Sequence, residues 1–230
     1  MASEGTWHFA AGIAGNLFAL VLFLSPIPTF VKVRRHKSTE QFSGLPYIFA
    51  LLNCLICTWY GLPIVSDDNV LLTTVNGTGA IFQLFYICIY IAYSKKEAQV
   101  KTVAMLLLVL CIFIAIAMVS YEFMKQPLRM MFIGCLSVVS LVCMFASPLS
   151  IIRLVVQTNS VEYMPFYLSL STFLMSTSFF AYGIIGRDPF VSVPNGIGSF
   201  LGIIQLVLYF HYSGVSRRSC DTQPLLSSRV

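Results

Sequence analysis

Two asparagines carry the first signal. Asn76 and Asn195 each stand early in an apolar run long enough to cross a lipid bilayer, and small residues follow both: Asn76-Gly77-Thr78-Gly79 and Asn195-Gly196-Ile197-Gly198. A carboxamide in hydrocarbon finds no partner in lipid, so it must bond to protein, to trapped water or to a ligand. The glycines let a neighbouring backbone or a bound molecule come close. A single such asparagine reads equally well as glue between packed helices. Two of them, one in each half of the chain, point to a two-sided polar site inside a membrane protein.

The elements that must hold these side chains are membrane helices. Of the 230 residues, 57% are hydrophobic and 10% are charged, with a mean hydropathy of +0.83. A soluble domain carries roughly 25% charged residues, so the chain is read as integral to the membrane. Met1 to Trp7 lack a basic n-region and the first apolar run is long enough to remain a helix, so no separate signal peptide is expected. The net charge of +5 does not indicate nucleic acid, because the basic residues lie in short loops and in the tail. Six of the seven cysteines (Cys54, Cys57, Cys88, Cys111, Cys135, Cys143) fall inside apolar runs and Cys220 is in the tail. Cys54 and Cys57 have a formal Cys-x-x-Cys spacing but no second ligand pair. They read as small buried hydrophobes, and neither a metal nor a cofactor is expected.

Apolar runs occur at about 8–31, 45–65, 70–93, 102–124, 129–153, 163–183 and 190–212. Each is of spanning length at about 1.5 Å per residue. The fold class is therefore all-α, with seven transmembrane helices and short connections. Eleven Lys and Arg residues lie on one side of these runs and three on the other. The positive-inside rule places the N-terminus outside the cytosol and the C-terminus inside it. The chain also repeats. Pro26 pairs with Pro148, and Tyr60-Gly61 with Tyr182-Gly183, at an offset of 122 residues. After the next loop the offset is 119, where Asn76 meets Asn195. Two three-helix units (8–93 and 129–213) are thus joined by a linker helix (102–124), ahead of a polar, flexible cytosolic tail (214–230). One linking helix makes the two units parallel, a 3+1+3 arrangement.

On these residues the chain resembles the SWEET sugar transporters, built from MtN3/saliva or PQ-loop-type repeats, and the plant branch in particular. The resemblance covers about 5–213 and rests on Ser25-Pro26-Ile27-Pro28-Thr29, Gly61-Leu62-Pro63, Asn76-Gly77-Thr78-Gly79, Ala146-Ser147-Pro148-Leu149, Val161-Glu162-Tyr163-Met164-Pro165, Tyr182-Gly183 and Pro194-Asn195-Gly196. It implies a sugar substrate held between the repeats by Asn76 and Asn195, with Cys57 and Phe179 as the other two walls. The family often has a small polar residue and Trp at those two positions. Phe179 keeps an apolar face for a sugar ring but loses the indole donor. Pro26, Pro46, Pro148 and Pro165 match a family tetrad of prolines, expected to bend four helices at a cytosolic gate. Pro46 lies 14 residues before Tyr60, but Pro165 lies 17 before Tyr182. The residues matching the outer gate are Tyr60, Tyr182 and Asp188, which otherwise read as an interfacial loop with Tyr anchors.

No Asp, Glu, Lys, Arg or His sits at mid-depth in any run. Coupled carriers usually need one, so the reading is a passive uniporter of monosaccharides, glucose or another hexose, working by alternating access. It is not an enzyme: there is no His-Glu-x-x-His, no Gly-x-Gly-Asp and no Ser/His pair within the runs. The alternatives are a proton-coupled amino-acid carrier of the PQ-loop type and a seven-helix receptor. Gly198 and Gly202 have GxxxG spacing, which serves repeat packing or a subunit contact equally. The resemblance allows homo-oligomers, trimers included. In the tail, Asp221 followed by Leu225-Leu226 has the form of an acidic-dileucine address read by a cytosolic adaptor. It favours the vacuolar membrane, with the plasma membrane as the alternative.

Overall fold

The computed structural model describes residues 2–39, 42–67, 69–161 and 164–227, with backbone alone for 2–3 and 214–227. The described residues form the helices α1 (Ala2–Leu24), α2 (Ile27–His36), α3 (Leu45–Gly61), α4 (Val70–Tyr93), α5 (Lys96–Phe123), α6 (Leu128–Met144), α7 (Ala146–Thr158), α8 (Phe166–Ile185) and α9 (Pro189–Ser227). Two pairs are single crossings with a break inside them: α1 with α2, and α6 with α7. That makes seven segments. Six are long and apolar enough to cross a membrane. The seventh, α3, has 17 residues and reaches only about 26 Å at 1.5 Å per residue. It was expected to run to 65. It ends at Gly61 because Leu62 precedes Pro63 and is pushed out of the helical region, to φ −71°, ψ 144°.

Both interior breaks follow from proline. Pro26 has no N–H for the carbonyl of Leu22, so the Ser25 backbone N–H (3.3 Å) and Oγ (2.8 Å) donate to it instead. The next carbonyl, that of Phe23, accepts from the Tyr86 hydroxyl at 2.5 Å. In the second unit Pro148 would clash with the carbonyl of Met144, and α6 ends at that residue. The other two prolines correct an expectation. Pro46 is in the first turn of α3 and Pro165 is the residue before α8, so they begin helices rather than bend them. A missing N–H costs nothing there. Most of the uneven proline-to-tyrosine spacing has the same origin: Pro46 is the second residue of α3, whereas Pro165 stands one residue before α8.

In each unit the third segment packs between the other two. α4 lies against α1, α2 and α3, and α9 lies against α6, α7 and α8. The units meet where α1 packs on α8 and α3 on α6, which closes a ring of six segments around a central axis. α5 sits outside the ring, against α3, α4 and α6. It is tied there by Trp59 Nε1 donating to Ser120 Oγ at 3.0 Å. Arg129 closes the end of α5 by donating to the carbonyls of Ser120, Tyr121 and Met124. Gly202 lets α9 approach α8 closely: a Cβ there would stand 2.9 Å from the Phe173 Cα. Gly198 similarly faces Ser176, so the GxxxG pair serves packing within the chain. The surface carries large apolar side chains such as Leu107, Ile114, Phe123 and Phe200, as lipid contact requires. Four of the cysteines expected to be buried (Cys88, Cys111, Cys135, Cys143) lie on that outer surface, while Cys54 and Cys57 are interior. One further difference concerns 214–230. α9 continues past the expected end of its apolar run as far as Ser227, so the stretch read as flexible has helical backbone. The side chains of Asp221, Leu225 and Leu226 lie outside the described residues, as do Glu162 and Tyr163 of the 161–165 motif.

Candidate functional site

Along the ring axis the helices enclose two adjoining cavities. The upper one, about 270 Å³, is lined by Asn76 on α4, Asn195 on α9, Cys57 on α3 and Phe179 on α8. All four residues expected from the sequence therefore face one chamber, one from each of the four helices. Its size lies just under the roughly 300–1,000 Å³ of pockets for drug-sized ligands.

The two asparagines are held alike. Asn76 Nδ2 donates to the Leu72 carbonyl at 3.0 Å, and Asn195 Nδ2 to the Val191 carbonyl at 2.8 Å. Each bond runs back one turn and uses one of the two amide hydrogens. The remaining N–H and the Oδ1 of each make no hydrogen bond among the described residues. The chamber is thus offered one donor and one acceptor from each unit. Phe179 is 3% exposed and packs edge-on to Tyr182, with ring centroids 6.0 Å apart. Gly79 abuts Phe23 and Cys54 and fits the close approach expected of it, whereas Gly77 faces open space.

Asn53 belongs to this site, and the sequence reading missed it. It lines the chamber one turn before Cys57, and its Oδ1 accepts from Ser140 Oγ at 2.8 Å. That bond links α3 to α6, and the Asn53 amide N–H groups make no hydrogen bond among the described residues. The available signal was the four-residue spacing from Cys57, which puts both on one helix face.

The lower cavity, about 430 Å³, is lined by all four prolines, Pro26, Pro46, Pro148 and Pro165. Gln83, Leu22, Ala50 and Met144 line both cavities, so the two are continuous along the axis.

The opposite end is closed. The Tyr60 hydroxyl donates to the Asp188 carboxylate, with Oδ1 at 2.9 Å and Oδ2 at 2.8 Å. Asn69 Nδ2 donates to Asp188 Oδ2 at 2.8 Å and to Ser66 Oγ at 3.0 Å, and Ser66 Oγ donates to the Tyr60 carbonyl. The Phe190 backbone N–H donates to Asp188 Oδ1 at 2.9 Å. Asp188 is only 6% exposed. A buried carboxylate needs several donors, and here they come from both units. Tyr182 takes a different place from its counterpart Tyr60: its ring stacks on His8, centroids 3.9 Å apart. Asn69 was not picked out from the sequence. It stands 119 residues before Asp188, the same offset that relates the chamber asparagines.

A ring of helices around a polar chamber, sealed at one end and open toward a second cavity at the other, defines a multi-pass membrane protein built to enclose a small molecule. The family model described as "Sugar efflux transporter for intercellular exchange" matches residues 9–98 and 131–217. The chain belongs to that family, the SWEET transporters. It is 54% identical to the bidirectional sugar transporter SWEET2b of Oryza sativa subsp. japonica, over 95% of each chain. It is 54% identical to SWEET2 of Arabidopsis thaliana, over 96% of this chain and 93% of the relative. A solved structure of a eukaryotic SWEET transporter at 3.7 Å superposes with a TM-score of 0.91 and 54% identity, covering 92% of this chain and 99% of that one.

Proposed function

We propose that this protein is a passive, bidirectional uniporter for sugars, with monosaccharides such as glucose as its substrates. The observation that carries this reading is the pair of half-satisfied amides, Asn76 and Asn195, facing one small chamber from the two units. Sugar hydroxyls both donate and accept, which suits the free N–H and Oδ1 that each amide offers. Phe179 supplies a flat apolar wall for the ring and Cys57 closes the fourth side. Among the described residues the buried set contains one charged side chain, Asp188, and it is committed to the closed end. This supports transport without ion coupling. In the proposed cycle the Tyr60–Asp188 contact opens, sugar enters, the contact reforms, and sugar leaves past the prolines. Binding is expected to be weak, because a carrier must release what it binds.

The proposal places the N-terminus on the non-cytosolic side and the proline end toward the cytosol, from the distribution of Lys and Arg. It includes vacuolar residence through Asp221, Leu225 and Leu226, read by a sorting adaptor; Leu225→Ala with Leu226→Ala then relocates the protein, and an unchanged location discards the signal. It also includes assembly into homo-oligomers through surfaces other than Gly198 and Gly202. The test of transport is radiolabelled glucose uptake into liposomes holding the purified protein, with and without a proton gradient. Uptake that ignores the gradient and is lost in Asn76→Ala and in Asn195→Ala is the expected result. Uptake that requires the gradient would replace the uniporter with a coupled carrier.

A further inference from the structure

We infer that the lower cavity holds a second binding station for a neutral, polyhydroxylated solute, formed by Gln83 on α4 and Gln205 on α9. The inference rests on the sugar-uniporter reading and extends it to a separate place. Both residues line the 430 Å³ cavity. Gln205 is 5% exposed, yet its amide makes no hydrogen bond among the described residues. The Oε1 of Gln83 is also buried without a partner. Ser169, 4% exposed on the facing α8, is in the same position as Gln205: it lines the cavity and its hydroxyl is unbonded.

Keeping an amide in the interior with no protein partner is unfavourable. Two of them, one from each unit on the same cavity, make sense as groups kept for a ligand that supplies the missing bonds. The ligand's class follows from the walls. Among the described residues lining the cavity none is charged, so an ion has no counter-charge there. Amide and hydroxyl groups together present donors and acceptors, the pattern that matches sugar hydroxyls.

The placement gives the station a job. Gln83 lies two helical turns, about 10 Å, from Asn76 toward the proline end, and Gln205 about 15 Å from Asn195. Gln83 lines both cavities. A sugar leaving the asparagines therefore exchanges its hydrogen bonds stepwise, first at Gln83 and then at Gln205 and Ser169, instead of crossing an apolar gap.

The test uses the purified full-length protein and D-glucose, followed by saturation-transfer NMR and by uptake into liposomes. A protein carrying Asn76→Ala and Asn195→Ala is expected to retain a saturable glucose signal. Adding Gln83→Leu and Gln205→Leu removes it. In the otherwise intact protein, Gln205→Leu lowers uptake by about three- to ten-fold, the loss of one hydrogen bond. Its melting temperature is unchanged or higher, because an interior amide with no protein partner is gone; a purely structural role for Gln205 gives a lower one. Loss of all glucose signal in the double-asparagine protein overturns the station. So does unaltered uptake by Gln83→Leu and Gln205→Leu alongside Asn-dependent uptake by the intact protein, with the uniporter reading left standing. Absence of both binding and uptake in the intact protein overturns the two together.

Discussion

At the sealed end of the chamber the two units meet through Tyr60, Asn69 and Asp188, set in an apolar cluster drawn from both units, including Val65, Leu72, Ile133 and Val191. At the proline end the corresponding space is hollow, and the apolar clusters there, such as Phe30 with Tyr86 and Tyr90, stay within the first unit. The preference for one face is therefore carried by a few side chains at one mouth. In lipid, apolar packing gains nothing from excluded water, so hydrogen bonds to one buried carboxylate weigh heavily. The other mouth needs no lock of its own, since it opens where helices start or break.

This contrast is breakable in four ways. The largest effect is expected from Asp188→Ala. It removes the acceptor for Tyr60 and Asn69, each bond to a charged group being about 1.5–3 kcal/mol. The open-to-closed ratio at that mouth then rises roughly a hundred-fold. Cys57, inside the chamber, becomes reachable by a membrane-impermeant thiol reagent from the N-terminal side. Equal labelling of the unaltered protein would show that this mouth is not sealed. Tyr60→Phe keeps the ring and loses the hydroxyl, so the same labelling should rise about ten-fold. Asn69→Ala leaves Tyr60 and the Phe190 N–H on Asp188, and an increase of about ten-fold at most is expected, the low end of the range for one bond to a charged group. The smallest effects concern the prolines and sharpen the contrast from the other side. Pro26→Ala and Pro148→Ala restore a helical bond where a helix breaks, and should slow liposome uptake by a few-fold. Pro46→Ala and Pro165→Ala sit where the missing N–H costs nothing and should change it less. The reverse order would discard the assignment of the two breaks.

Much of this was readable in the chain. Seven apolar runs gave the segments, and the recurrence of Pro, Tyr and Asn at fixed offsets gave the repeat. Asn76 and Asn195 stood out by residue type and repetition, while Cys57, Phe179 and the Tyr60–Asp188 pair followed from the family resemblance. What escaped were features that depend on helix phase and helix ends. Pro46 and Pro26 look alike in sequence, yet one starts a helix and the other breaks one. Asn53 and Gln83 sit in ordinary apolar context, and only their phase relative to Cys57 and Asn76 turns them to the axis. Asn69 reads as a loop residue until its partner across the units is known.

Asn69 and Asp188 occupy one position counted twice, because α4 and α9 begin at the next residue in each copy. The internal repeat accounts for the positions, and the single chain lets the two places differ. In a dimer of identical short chains both places would hold the same residue. Two aspartates there would repel unless they shared a proton. Two asparagines would offer Tyr60 no charged acceptor. Joined in one polypeptide, the two positions carry different groups, an amide at Asn69 and a carboxylate at Asp188. The amide–carboxylate bond at the mouth of the chamber thus joins two equivalent positions that, in a pair of identical chains, would hold the same residue.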